Sequence, residues 1–245
     1  MTQRRIAVIV IIALLVLAVV PELALAGPGG SIAKAVVNSF WGKVALAALT
    51  LFFLPIILWV MLKEWRAERR AVKVLERLAS VDMALHPMRV RDRIREAFLR
   101  VHTAWSKDQI VEASAVMTDW YWQNQELAHL RRWENEGLVN HCSVKSVGRI
   151  RPLHVEAAVS GGRIESATIV AFISANMQDY LAEIATGKVV EGDKAFKDVD
   201  TVWTFQLIDG ALKVAQIEES YLSLAYAGQP NVVIGLAEDA APRRA

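Results

Sequence analysis

Two uninterrupted apolar runs open the chain, and the remainder alternates first with a helical period and then with a strand period. The first run, Ile6 to Val20, follows Arg4-Arg5 and stops at Pro21, and Ala24-Leu25-Ala26 precedes Gly27. A basic start, a short apolar centre and a small-x-small site are the layout of a secretory signal cleaved after Ala26. If Leu23 to Ala26 join the run, it is long enough to stay as a first transmembrane helix. Residues 1–26 are therefore a signal peptide or a first transmembrane helix, and residues 27–43 an extracytoplasmic loop.

The second run, Val44 to Leu62, carries no charge and is bracketed by Lys43 and Lys63. Trp41, Trp59 and Trp65 lie near its ends, where indole rings favour the membrane interface. Pro55 sits inside it and predicts a kink. We read 44–62 as a transmembrane helix. The 21–43 segment holds only Lys34 and Lys43, whereas 63–82 holds six Lys and Arg. The positive-inside rule then places everything after Leu62 in the cytoplasm, at a bacterial inner membrane, or in the matrix if the source is mitochondrial.

After Leu62 the apolar positions recur at helical spacing. Ala71, Val74, Leu75 and Leu78 form one stripe, predicting a basic juxtamembrane helix over 63–87 that leaves the membrane as a stalk and breaks at His86-Pro87. Val90, Ile94, Phe98, Val101 and Trp105 predict a second helix over about 89–105. Ser106 or Asp108 is a candidate N-cap for a third helix, Asp108 to Glu136, with Gly137 as its C-cap.

Beyond Gly137 the period changes. Val144–Ala158, Arg163–Ile173, Val199–Ile208 and Ala211–Glu218 favour strand residues, with turns at Ser160-Gly161-Gly162 and Asp209-Gly210. Thr168 to Ile173 is nearly all apolar, which marks a central strand. Helices followed by an antiparallel sheet predict an α+β domain with helices on one face of a curved sheet.

Charge changes this picture in one respect. Residues 63–107 hold 12 basic against 6 acidic side chains, and residues 108–245 hold 12 against 19, a balance of +6 followed by −7. A basic tract beside a membrane segment points to anionic lipid head groups, at ~1 kcal/mol per basic residue near the surface. Arg66, Arg69, Arg70, Arg91, Arg93 and Arg95 are the candidate head-group contacts. The alternative is a solvated helix, since acids interrupt the tract.

Motifs for chemistry are scarce. There is no glycine-rich phosphate loop, so nucleotide cofactors are not expected, nor is a nucleic-acid partner. The five histidines show no metal-ligand spacing, and His141-Cys142 alone cannot complete a zinc site. Cys142 is the single cysteine, which excludes a disulfide within the chain. No catalytic residue, metal site or cofactor is expected.

Three segments carry a resemblance. FLRVHTAWSKDQIVEASAVMTDWYW (Phe98 to Trp122), KVVEGDKAF (Lys188 to Phe196) and VWTFQLIDGAL (Val202 to Leu212) together resemble the Tim44-like domain over about residues 88–223. Phe98, Trp105, Asp108, Glu191, Gly192, Trp203, Thr204 and Phe205 match the family's marks. The resemblance implies the cone-shaped NTF2-like α+β fold, with 224–245 left as a disordered tail. It also implies a tether that holds a protein partner or a large membrane complex next to the membrane, as a scaffold or as an accessory or assembly subunit.

Within such a cone, Trp120, Tyr121, Phe172, Trp203 and Phe205, with Trp122, are the aromatics that either form the core or line an apolar pocket for a peptide or lipid chain. The rival reading is an enzyme or small-ligand sensor pairing a buried acid with a tyrosine, for which Asp119, Tyr121, Asp179 and Tyr180 are available. On a regular strand Asp179 and Tyr180 point to opposite faces and do not share a pocket.

Overall fold

The computed structural model describes residues 39–107 and 109–236. The candidate signal, most of the 27–43 loop, Asp108 as an N-cap and the AEDAAPRRA tail lie outside the described residues. The chain divides into two compact units at Leu62/Lys63.

Helix α1 (Phe40–Leu78) contributes residues to both units. In the first unit it supplies an apolar segment none of which is buried, with Phe52, Trp59 and Met61 all exposed. A helix needs ~20 apolar residues to cross a bilayer. Among the described residues this is the one helix long and apolar enough to do so, which fits membrane association.

In the second unit the same helix is not a stalk. Ala67, Ala71, Leu75 and Leu78 are wholly buried, and Glu64 nearly so. The stripe expected from the sequence is present, but it packs into the domain core instead of standing free. The domain therefore begins at Lys63, not at residue 88. A short 3-10 turn (Met83–Leu85), capped by Asp82 Oδ1 accepting from Ala84 N at 2.8 Å, leads to α2 (Pro87–Trp105). Pro87 opens α2 because its missing N–H costs nothing in the first turn. Val90, Ile94, Phe98 and Val101 are its buried face.

The expected third helix is broken. Ser106 ends α2 as its C-cap rather than starting a new helix. Ile110–Val116 is a 3-10 stretch, and helix resumes only at α3 (Asp119–Gln125). The reason is tertiary: Met117 bridges to Val214 of the sheet, and Thr118 N–H donates to Val214 O at 2.9 Å. That pairing holds 117–118 extended. A π-turn (Glu126–Leu130) then joins α3 to α4 (Arg131–Asn135), and Gly137 follows at φ +69° as expected of a C-cap.

The sheet has five strands: β1 (Leu138–Ser160), β2 (Arg163–Glu183), β3 (Val189–Ile208), β4 (Ala211–Glu219) and β5 (Val232–Ile234), in the order β4-β3-β2-β1-β5. The first four form an antiparallel meander, and β5 lies parallel to β1. Asp209 and Gly210 both have positive φ, which a two-residue hairpin turn requires. Register shifts interrupt the β1–β2 ladder at four places, and such bulges bend and twist a sheet. The architecture is mixed helix and sheet, with a curved sheet of α+β type.

Both sheet faces are covered. On the front, Ile169, Ala171, Ile173, Trp203 and Phe205 pack with Leu75, Ile94 and Phe98 in one large core. On the back, Leu153, Val170, Phe172 and Val202 pack with Ala67 and Ala227. Ala227 belongs to α5 (Ser223–Gly228), so residues 223–236 are a built part of the domain, not a disordered tail. Three β-branched residues in Val232-Val233-Ile234 suit them to an added strand, and Asn231 Oδ1 accepts from Val155 N at 2.9 Å.

Candidate functional site

The front of the sheet, α2 and the α3–α4 segment enclose a cavity of about 550 Å³ that opens to solvent. Helix α2 turns Val101, His102 and Trp105 into it. The α3–α4 segment supplies Tyr121, Gln125, His129 and Trp133, four residues apart each time. In a regular helix such a row drifts round the axis. The π-turn underwinds the helix between them and holds the row toward the cavity; π-turns of this kind recur at functional sites. The sheet adds Asn140 and Cys142 from β1, Met177 and Asp179 from β2, Glu191 and Trp203 from β3, and Ile217 and Glu219 from β4.

Its aromatic walls form two sets. His102 and Trp203 stack with centroids 5.7 Å apart, the buried Phe98 ring behind them lies 4.0 Å and 5.0 Å from the two, and Trp203 Nε1 donates to Thr201 Oγ1 at 2.9 Å. Trp105, His129 and Trp133 cluster with centroids 5.5–6.0 Å apart. At the rim, Glu191-Gly192-Asp193 of β3 crosses Leu181-Tyr180-Asp179 of β2. Gly192 has φ +81°, and a Cβ there would sit 2.4 Å from the Asp179 carbonyl oxygen, so only glycine lets the strands approach.

The electrostatics follow from burial. It pushes His102 down to about 4, partly offset by the hydrogen bond from its Nδ1 to Phe98 O, so the ring is neutral. It pushes Tyr121 up to about 12, against a backbone hydrogen bond from Ile217, with the charge of Glu218 acting the same way as burial. Cys142 is likewise pushed up to about 12, by burial and then by Asp179. The Asp179 carboxyl is raised by burial first and by Glu191 as well, against the hydrogen bond from Asn140 and the charge of Lys197. Burial and Arg132 lower His129. A protonated thiol and a neutral imidazole with no hydrogen bond between them do not make a nucleophile–base pair.

The structure sorts the aromatics named from sequence. Tyr121 and Trp203 line the cavity. Phe205 is in the front core, fully buried. Phe172 is on the back face with Val170 and Val202, because alternate residues of β2 face opposite ways. Trp120 is 71% exposed, one helical position round from Tyr121. Asp179 and Tyr180 both border the cavity, contrary to the strict alternation expected, because the β2–β3 ladder slips between Met177 and Asp179. Asp119 is exposed and outside the lining.

The six arginines read as head-group contacts divide in the same way. Arg70 donates to Ala227 O at 2.9 Å, Arg91 pairs with Glu68 at 3.1 Å, Arg93 donates to Gly210 O and Arg95 to Val147 O at 2.9 Å. These four bind the helices to the rest of the domain. Arg66 and Arg69 stay exposed, Arg69 over the Trp65 ring at 4.0 Å.

One built polar cluster went unread in the sequence. On the back face, Glu64 Oε2 accepts from Arg151 Nη2 at 2.8 Å, and Glu64 Oε1 accepts from Ser223 Oγ at 2.7 Å. The Arg151 guanidinium also lies over the Phe172 ring at 4.5 Å. Both charged side chains are only 12% exposed. Among the described residues no group of His, Cys, Asp and Glu is arranged to hold a metal ion.

No family model matches the chain, and no curated protein matches it. Among solved structures, the crystal structure of the intermembrane space region of chloroplast protein ARC6 aligns with a TM-score of 0.37 at 13% identity. That alignment covers 53% of this chain and 93% of the other.

Proposed function

We propose that the protein is a membrane-anchored, non-catalytic binding module that holds a protein partner at the cytoplasmic face of the membrane. The observation that carries this reading is the open 550 Å³ cavity with aromatic walls, set in a domain whose first helix also provides the apolar span. Concave, largely apolar sites with a few polar groups are where proteins take ligands or partner side chains. The helices over a curved meander sheet agree with the NTF2-like, Tim44-like cone that the Phe98–Trp122, Lys188–Phe196 and Val202–Leu212 segments resemble. On this reading the chain is a scaffold, or an accessory subunit of a larger membrane complex, in a bacterial inner membrane or on the matrix side of a mitochondrial one. Arg66 and Arg69 remain as contacts for anionic lipid.

The test is a mild-detergent pull-down of the intact chain, quantified by mass spectrometry, with Trp105→Ala and Trp133→Ala as pocket variants. A binding module loses a specific co-purifying complex in those variants. A membrane-impermeant thiol reagent should leave engineered cysteines at exposed sites after residue 80 unlabelled in intact bacterial cells, and labelling from outside would reverse the orientation.

A second reading rests on Tyr121 and Asp179 facing one cavity with both acidities shifted by burial. A tyrosine and a raised carboxyl in an apolar site are the equipment of proton-transfer enzymes. Turnover of a small molecule that is lost in Asp179→Asn, with the co-purifying complex intact, would favour it.

A further inference from the structure

The lining of the front cavity is one-sided in its chemistry. Among the described residues it holds three carboxylates, Asp179, Glu191 and Glu219, and no Lys or Arg. Ionised carboxylates only accept hydrogen bonds. His102 adds a further acceptor. Its Nδ1 lies 2.8 Å from Phe98 O, and a carbonyl can only accept, so the proton sits on Nδ1. Its Nε2 then carries a lone pair and has no hydrogen-bond partner among the described residues. Asp179 has Asn140 as a donor, whereas among the described residues no hydrogen bond or ion pair engages the side chain of Glu191 or Glu219. Trp105, Trp133 and Trp203 add ring faces, and Gln125, Asn140 and Thr201 add neutral polar groups among aliphatic side chains. A ligand suited to this lining brings positive charge, several N–H donors and a flat group that rings can cover.

The same chain already assembles that combination elsewhere. On the back face a guanidinium lies between a carboxylate and a ring: Arg151 is 2.8 Å from Glu64 and 4.5 Å from the Phe172 centroid. The front cavity has the carboxylates and the rings without the cation. Lys194 and Lys197 stand close by on β3, Lys194 over the Tyr180 ring at 5.6 Å, but both are exposed and neither lines the cavity.

We propose that the front cavity receives the guanidinium or ammonium group of an Arg or Lys side chain presented by a protein partner. This deepens the binding-module reading and rests on it. The acceptors decide against a quaternary ammonium such as a choline head group. That cation has no N–H, so it would leave His102 Nε2 and two carboxylates without donors. Guanidinium offers five donors in one plane and a face that stacks on indole.

The experiment uses the full chain in neutral maltoside micelles. Fluorescein-labelled, end-blocked pentapeptides with a single central Arg, Lys, citrulline or Ala are titrated by anisotropy, with choline as a competitor. The Arg and Lys peptides should bind, and citrulline, the neutral isostere of Arg, should bind at least about tenfold more weakly. Glu191→Gln with Glu219→Gln should weaken the Arg peptide by about tenfold while the melting curve stays in place. Both side chains are exposed at the rim, so this double variant keeps its fold. Equal binding of Arg and citrulline peptides, an unchanged double variant, no peptide binding into the millimolar range, or displacement by choline would each overturn the proposal. The pull-down separates this from its premise. If Trp105→Ala loses the complex while the double glutamine variant keeps it, the binding module stands and the cation does not. If every pocket variant keeps the complex, the premise itself falls.

Discussion

The two faces of the sheet use the same chemical parts to opposite ends. On the back, Glu64, Arg151, Ser223 and the Phe172 ring close on one another, with both charges nearly out of water. On the front, Asp179, Glu191 and Glu219 stand among indole rings, and the space between them is open. The back face is a paired polar contact that fastens α1 and α5 to the sheet, with Arg151 Nε alone left without a hydrogen bond among the described residues. The front face is an unfilled one. A carboxylate near an aromatic ring therefore has no fixed meaning in this fold: what decides its role is whether the chain supplies the cation.

The contrast can be broken most sharply at Glu64. Glu64→Ala strands a buried guanidinium, and removing one partner of a buried pair costs about 4 kcal/mol. Thermal melting of the full chain in micelles should show a large loss, and Arg151→Met in the same background should restore part of it. Retention of wild-type stability by Glu64→Ala would mean that the back-face contact is ornamental.

Acid should act next, through the front face. His102 titrates near 4 when folded and near 6.5 when unfolded. Between those values the unfolded chain binds the extra proton, so stability falls as pH drops from 6.5 to 4, by about 3 kcal/mol over the window. Asp179 works the other way, because its carboxyl is raised and protonation relieves the cost of burying its charge. His129, also lowered, acts in the same direction as His102, so the net slope is set by the two histidines against Asp179. Its diagnostic is His102→Gln, which should flatten or invert the slope in denaturation measured across that range.

Gly192→Ala comes third. A left-handed φ and a Cβ 2.4 Å from a backbone oxygen should cost about 2 kcal/mol and push β3 off β2 at the cavity rim. Hydrogen exchange of the Tyr180 and Asp193 amides should rise locally. The smallest effect belongs to Glu191→Gln with Glu219→Gln, which should change stability by less than about 0.5 kcal/mol. Set against Glu64→Ala, that near-zero value is the other half of the comparison: one face uses its carboxylate in the fold, and the other leaves Glu191 and Glu219 out of it.

The elements that local chemistry dictates were legible from sequence. The apolar span, the Asp209-Gly210 hairpin, the helix expected over about 89–105 and the central position of Thr168–Ile173 each depend on neighbours in the chain, and each is found close to its expected place. What depended on distant partners was not legible. The third helix breaks because Val214 captures Met117 and Thr118, nearly 100 residues away. The stalk is a core helix because Leu75 and Leu78 meet a sheet that their own sequence cannot announce. Four arginines that looked like a lipid-facing patch answer carbonyls and a carboxylate of the same domain. At the cavity, Tyr121 and Trp203 were among the residues named, with Asp179 and Tyr180 under the rival reading, whereas Trp105, Trp133, Glu191 and Glu219 were not assigned to it. The four-residue spacing of Tyr121, Gln125, His129 and Trp133 was the signal available, and it becomes meaningful only once the π-turn is known.

The Glu64 contact also sets an order of events during synthesis. Its partners Arg151 and Ser223 lie 87 and 159 residues further along, and Arg70 waits for Ala227, 157 residues on. Translation proceeds at roughly 5–20 residues per second, so α1 leaves the ribosome about 8 to 30 s before the residues that secure it. Until β1 to β4 follow, its apolar stripe has no sheet to cover it, and Glu64 waits 87 residues for its guanidinium. The helix is fastened by residues made well after it, so a nascent chain stalled at Glu219 should expose the Lys63–Leu78 segment to protease, and one released after Gly228 should protect it.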